Sequence, residues 1–113
     1  MTDNIQKLYE IAGVPRIYSE FNNGKETVVE NVFSPYRQLE LIKLIGKDDN
    51  FLCFFRPAET KYGEFFESDW VCENYKISGI GNTFEQALAD LVIRLWNEQL
   101  SEEQKQEIKR ILQ

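Results

Sequence analysis

The chain has 113 residues, which is enough for one hydrophobic core but not for two, so we expect a single domain over residues 1–113. Nineteen acidic residues against 13 basic ones give a net charge of -6. Nucleic acids and anionic lipids are bound largely through their phosphates, so this charge disfavours direct binding to DNA, RNA or a membrane surface. Histidine is absent from the sequence, which removes the commonest general base and metal ligand.

The sequence also indicates where in the cell the protein is located. Its N-terminal residues lack a basic region followed by an apolar stretch, and no window approaches 18 continuous apolar residues. Those two patterns are typical of secretory signals and membrane-spanning helices. We therefore expect a cytoplasmic protein that does not enter the membrane.

The first part of the chain predicts a helix followed by a β-hairpin. The helix covers about residues 3–12, because apolar residues recur there at helical spacing before Gly13 and Pro15 stop it. Two β-rich runs, 17–21 and 26–32, then flank Asn23-Gly24. Asn-Gly accepts the positive φ angles of a tight turn, so this is the strongest hairpin signal in the chain.

A second helix is predicted from Ser34-Pro35, an N-cap followed by proline in the first turn, to a C-terminal Gly46. Its many apolar residues predict burial over more than one face of the helix. They are Leu39, Leu41, Ile42, Leu44 and Ile45.

The middle of the chain predicts strands. The apolar run 51–55 is typical of a central strand, residues 57–63 are loop-like, and a strand pair is expected around 64–67 and 70–77. The glycine-rich segment 78–82 predicts a turn, since it lacks the third glycine and the lysine of the phosphate-binding loops.

Two further helices carry capping-box patterns, Thr83 with Gln86 and Ser101 with Gln104. The last has a narrow apolar stripe, which favours packing on the domain edge or on a partner. The element order predicts an α+β fold, a two-layer or α-β-α sandwich, with one small antiparallel or mixed sheet of about 4–5 strands and 3–4 helices.

Cys53 and Cys72 both lie in apolar or aromatic segments, which favours two buried, reduced cysteines over a disulfide between them. They are also too few to close a zinc site without histidine.

A candidate interaction surface is expected around residues 59–73, where Lys61 is the only basic residue. An exposed acidic edge is the main interpretation, and a hard-cation site or a catalytic carboxylate pair is the alternative. Consecutive aromatic residues on a strand point to opposite faces, so some of them must be covered by helices, by a loop or by another chain. The candidate surface residues are Glu59, Glu64, Glu67, Asp69, Phe65 and Phe66.

The segment from Trp70 to Trp96 carries a resemblance. A strand with Trp-x-Cys leads through Gly79-Ile80-Gly81 into a helix beginning Thr-x-x-x-Ala-Leu, and the run 34–42 has a similar character. This resembles small phage- and prophage-encoded α+β proteins. The same turn and helix are similar to the C-terminal part of HicB-type antitoxin domains, although the strand pattern that precedes it in that family and the appended DNA-binding segment are missing.

These observations predict a non-enzymatic accessory protein of phage or prophage origin that binds another protein through an acidic or aromatic surface. No catalytic, cofactor-binding or metal-binding residue is assigned, and no cofactor is expected. Self-association through an apolar patch and an acidic decoy for a basic, nucleic-acid-binding site both stay open. The alternatives are a carboxylate- or metal-dependent enzyme using residues 59–73, and an antitoxin-like neutralising protein.

Overall fold

The computed structural model describes residues 3–46, 51–59, 65–74 and 77–113, and only the backbone for 51–59 and 65–69. The described elements are four helices and five strands. In chain order they are α1 (Asn4–Ala12), β1 (Ile17–Asn22), β2 (Lys25–Glu30), α2 (Pro35–Ile45), β3 (Phe51–Glu59), β4 (Phe65–Asn74), β5 (Ile77–Gly81), α3 (Phe84–Glu98) and α4 (Glu102–Leu112).

The predicted helix starts are confirmed at their caps. The Ser34, Thr83 and Ser101 hydroxyls each accept a hydrogen bond from a backbone N–H in the first turn of their helix. Ser101 and Gln104 form the complete reciprocal capping box. Gly13 ends α1 with φ 73°, a left-handed conformation that glycine adopts without a Cβ clash. Local capping chemistry therefore sets these boundaries.

The strands form two antiparallel sheets, one of order β1-β2 and one of order β3-β4-β5. The predicted α+β class is confirmed, and so is the antiparallel pairing. The prediction of one sheet was wrong, because β1 and β2 pair with each other and not with the strands of the second sheet. The layered sandwich stays a prediction.

One hydrophobic core joins the helices to the second sheet. Helix α3 lies against β4 and β5, α1 packs on α3 and α4, and α2 packs on α4. The apolar stripe of α4 is buried within this core, and Ile108 and Leu112 are fully inaccessible. The sequence predicted that this stripe packs on the domain edge or on a partner. The other helices of the chain cover it instead.

The predicted turn at 78–82 was wrong, because residues 77–81 form strand β5. The glycines serve close packing instead. A Cβ on Gly79 would lie 2.2 Å from the Leu91 backbone N, and one on Gly81 would lie 2.5 Å from the Ala87 backbone N. Glycine therefore allows the backbones of β5 and α3 to touch.

The strands around residues 51–74 also differ from the prediction. Strand β3 is longer than the apolar run 51–55 and lies at the edge of its sheet, while β4 is central. The predicted loop begins later, since β3 continues to Glu59 with a register shift between Pro57 and Glu59. The segments 64–67 and 70–77 do not form a strand pair, because one continuous strand, β4, covers 65–74. Residues 60–63, which complete the predicted loop, lie outside the described residues, as do residue 64 and residues 75–76 of the two predicted strands.

Helix α2 buries less of its surface than predicted. Leu41 and Ile45 are buried, but Leu39 is 48% exposed and Tyr36 is more exposed still. The buried positions follow one helical stripe together with Gln38. Two large side chains of α2 are therefore left on the surface.

Candidate interaction surface

The acidic and aromatic surface predicted between residues 59 and 73 falls mostly outside what the structure describes. Glu64 is not among the described residues, and Glu59, Phe65, Phe66, Glu67 and Asp69 have described backbones but no described side chains. Their strands place Glu59 opposite Phe65 and Asp69 opposite Arg56. Whether they form a surface stays a prediction.

Of the neighbouring residues, Glu73 and Cys72 are described in full. Glu73 is half-buried and accepts a hydrogen bond from the Ser78 hydroxyl at 3.4 Å. Cys72 is fully buried, as predicted, and its Cα pairs in register with that of Cys53. The Cys53 side chain lies outside the described part of the chain.

The β1–β2 hairpin carries three of the four most exposed large hydrophobic side chains of the described residues, the fourth being Tyr36 on α2. Ile17 is 67% exposed, Phe21 73% and Val28 68%. All three lie on one face of the two-stranded sheet, because Val28 pairs with Ser19, which shares its face with Ile17 and Phe21. The hairpin therefore presents a continuous apolar strip to solvent. We call this strip of Ile17, Phe21 and Val28 the hairpin face.

Acidic residues border the hairpin face. Glu30 pairs with Ile17 and Glu26 pairs with Phe21, so both carboxylates share this face with the apolar strip. The hairpin as a whole holds three glutamates and one lysine, Lys25, which lies on the opposite face beside the turn. The surface is thus apolar at its centre and negative at its rim.

A polar clamp fixes the base of the hairpin to the core. The buried Asn31 side chain donates to the Pro15 carbonyl at 2.7 Å, and its backbone N–H donates to the Arg16 carbonyl at 2.6 Å. Beyond this clamp, Phe33 is buried in edge-to-face contact with Tyr9. The turn at the other end is tight, with φ 54° at Asn23 and 76° at Gly24. The hairpin is therefore held at one end, and no element of the described part of the chain covers the hairpin face.

A groove of 680 Å³ between α2 and α4 is a second surface feature. Its lining includes the charged residues Glu40, Lys43 and Glu107 and the apolar residues Leu44 and Ile111. Lys43 pairs with Glu40 at 3.5 Å, and Arg110 pairs with Glu107. Because these charges are already paired within the chain, the groove has less to offer a ligand than the hairpin face.

Two features of the described residues bear on other classes of function. None of the four helices is long and apolar enough to cross a membrane. Among the described side chains, no three of histidine, cysteine, aspartate or glutamate come together as a metal ion would require.

Sequence reasoning predicted the hairpin but missed the hairpin face. The alternation of apolar residues at Ile17 and Phe21 indicates one apolar face of β1. Such a face normally packs on a core, so the sequence does not predict that it is exposed. Among the described residues it stays uncovered because β1 and β2 form a sheet separate from β3-β4-β5.

The chain matches no family model, no curated protein and no solved structure.

Proposed function

We propose that the chain is a non-enzymatic accessory protein that binds a partner protein through the hairpin face. The observation that carries the proposal is the exposure of three large apolar side chains, Ile17, Phe21 and Val28, on one side of a hairpin that nothing else in the described residues covers. Contiguous exposed apolar surface with a polar rim is typical of protein interaction sites.

The rim defines the chemistry of the partner. Glu26 and Glu30 beside the apolar strip favour a contact surface with large apolar side chains at its centre and lysine or arginine around them. This moves the proposed contact away from residues 59–69, where the sequence first suggested it, to the hairpin. An acidic decoy that occupies a basic site on a nucleic-acid-binding protein is one form of the same proposal.

The test is co-purification from the native host with the wild-type chain and with Phe21→Ser, followed by a binding measurement on the purified pair. We expect the partner to be retained by the wild type and its Kd to rise at least about tenfold in Phe21→Ser, because central aromatic residues carry most of the energy of an interface. Raising the salt concentration should weaken binding further, since the rim charges are solvent-exposed.

Tyr36→Ser is the matched control, since Tyr36 is equally exposed but lies on α2. Its Kd should stay at the wild-type value. A partner that binds Phe21→Ser as tightly as the wild type would refute the proposal, and so would one lost only with Tyr36→Ser.

The other predictions from the sequence remain proposals. They are the phage or prophage origin, the cytoplasmic location, the layered sandwich, the antitoxin-like role and the carboxylate- or metal-dependent enzyme. Nothing among the described contacts favours one of these over binding through the hairpin face.

A further inference from the structure

The two edges of the β1–β2 hairpin differ in what they offer another strand. In an antiparallel ladder, residues alternate between those whose N–H and C=O point to the paired strand and those whose groups point away. The bond from the Asn31 N–H to the Arg16 carbonyl marks a hydrogen-bonded pair. The pairs Tyr18 with Val29 and Glu20 with Thr27 follow in the same phase.

The backbone groups of Ile17, Ser19 and Phe21 therefore point away from β2, to the outer edge of β1. Those of Glu26, Val28 and Glu30 point to the outer edge of β2 by the same alternation. Neither edge is paired with a further strand among the described residues. Each edge is thus a template for one more antiparallel strand.

The edge of β1 is complementary to itself. If two copies meet about a two-fold axis through Ser19, the outward-pointing groups come into register, and Ser19 faces Ser19 of the second copy. Ile17 then lies opposite Phe21 of the other copy, once on each side of the axis. Between them Tyr18 faces Glu20, the only charged residue of β1. Apolar residues thus meet apolar ones, and no like charges lie directly opposite each other.

The edge of β2 is not complementary to itself. The equivalent two-fold register centred on Val28 places Glu26 opposite Glu30 of the second copy, again twice. Like charges directly opposite each other destabilise an antiparallel pair. Centring the axis on Thr27 or Val29 instead keeps the outward-pointing backbone groups in phase, but only two of the three outward-pointing residues of β2 then find partners within the strand, so four hydrogen bonds form and not six. The β2 edge must therefore either oppose like charges or form fewer hydrogen bonds, which favours pairing through the β1 edge.

We propose that two copies of the chain pair through the outer edge of β1, which makes a four-stranded antiparallel sheet of order β2-β1-β1-β2. Six backbone hydrogen bonds would form between Ile17, Ser19 and Phe21 of the two copies. A two-stranded hairpin alone is only marginally stable in water, so widening it to four strands stabilises it. The contact is small for a stable dimer, which places the expected Kd in about the micromolar range.

This pairing can be tested separately from the proposed function, because its hydrogen bonds form along the backbone edge of β1, while a partner would contact the exposed side of the hairpin face. It also deepens that function. The two-fold axis runs perpendicular to the sheet, so the hairpin faces of the two copies lie on the same side. The joined surface would present six apolar side chains to a partner.

Sedimentation velocity over concentrations from about 1 to 200 μM tests the pairing. We expect the wild type to pass from monomer to dimer over this range, and Ser19→Lys to stay a monomer because two lysines would then face each other across the axis. Val28→Lys is the matched control, since Val28 lies directly opposite Ser19 on β2. It should dimerise like the wild type.

Cysteine cross-linking gives an independent readout that does not need a charge in the sheet. With oxidised glutathione, Ser19→Cys should form an intermolecular disulfide, since the two Cα atoms would lie about 5.5 Å apart, within disulfide range. Val28→Cys should cross-link no faster than the wild type. The wild-type rate gives the background cross-linking through the native Cys53 and Cys72.

A wild type that stays monomeric at 200 μM would overturn the proposal, whatever the binding of a partner. Preferential cross-linking through Val28→Cys would do the same, because it would identify β2 as the pairing edge. Conversely, a dimer that binds no partner would leave the pairing intact and refute the proposed function.

Discussion

At the scale of single residues, the described buried polar side chains differ in whether they form hydrogen bonds. Asn31 and Gln38 donate their amide N–H groups to the carbonyls of Pro15 and Phe33, at 2.7 and 2.8 Å. Tyr9 is equally buried, but its hydroxyl has no hydrogen-bond partner in the described part of the chain. Arg37 is close enough to favour a phenolate, yet its guanidinium donates to the carbonyls of Val32 and Gln113.

Tyr9→Phe should therefore cost no stability. The free energy of unfolding at pH 7 is expected to stay unchanged or to rise by up to about 1 kcal/mol, because a buried hydroxyl without a partner is removed while the ring stays. Urea unfolding followed by tryptophan fluorescence measures this. A loss greater than about 1 kcal/mol would mean that the hydroxyl has a partner.

The wild type and Tyr9→Phe should also differ in how their free energy of unfolding depends on pH. Burial raises the pKa of Tyr9 above its ordinary value of 10.0. A raised pKa stabilises the folded state below the unfolded pKa, and this contribution is lost as the pH rises through the folded pKa. The wild type should thus lose stability relative to Tyr9→Phe above about pH 10. A parallel loss of stability in the wild type and Tyr9→Phe above about pH 10 would contradict this prediction.

At the scale of elements, some residues that local sequence patterns place in a cap or a turn instead make contacts between distant parts of the chain. Gln86 was predicted to close the capping box of α3. Its side chain instead accepts from the Asn4 N–H at 2.6 Å and donates to the Asp3 carboxylate at 3.2 Å, so it fixes the start of α1. Gly79 was predicted to turn the chain, and instead it lets β5 touch α3.

Gly79→Ala should destabilise the fold by about 3 kcal/mol or more, because the new methyl group would overlap the backbone of Leu91 and Ala87, which cannot move aside as a side chain can. The measurement is chemical denaturation. Gly24→Asn is the control, since Gly24 also has a special role but open space around it and a φ of 76° that asparagine tolerates. Its effect should stay within about 1 kcal/mol. Equal effects at the two glycines would contradict the close packing of β5 on α3.

At the scale of the whole molecule, the structure is elongated. Its Cα radius of gyration is 16.2 Å, against about 13 Å for a compact chain of this length. The core is nevertheless shared by all four helices and the second sheet. Unfolding of this body is therefore expected to be cooperative.

Ile108→Ala tests that cooperativity from the far end of the chain. Ile108 is fully buried in the shared core, so the substitution should lower the free energy of unfolding by about 2–4 kcal/mol. Ile11→Ala, at a position on α1 that is 38% exposed, should cost less, about 1 kcal/mol or below. Both values come from one denaturation curve per variant. A biphasic curve for Ile108→Ala would show that α4 unfolds separately from the body.

The sequence by itself determined the four helices, the N-cap residues Ser34, Thr83 and Ser101, and the hairpin at Asn23-Gly24, because caps, turns and helical periodicity depend on residues close together in the chain. Only the tertiary structure decided that the strands divide between two sheets, that Gly79 lies in a strand, and that Ile17, Phe21 and Val28 stay exposed. Local patterns say which side of a strand is apolar. They do not say what covers it, since that depends on where distant elements pack.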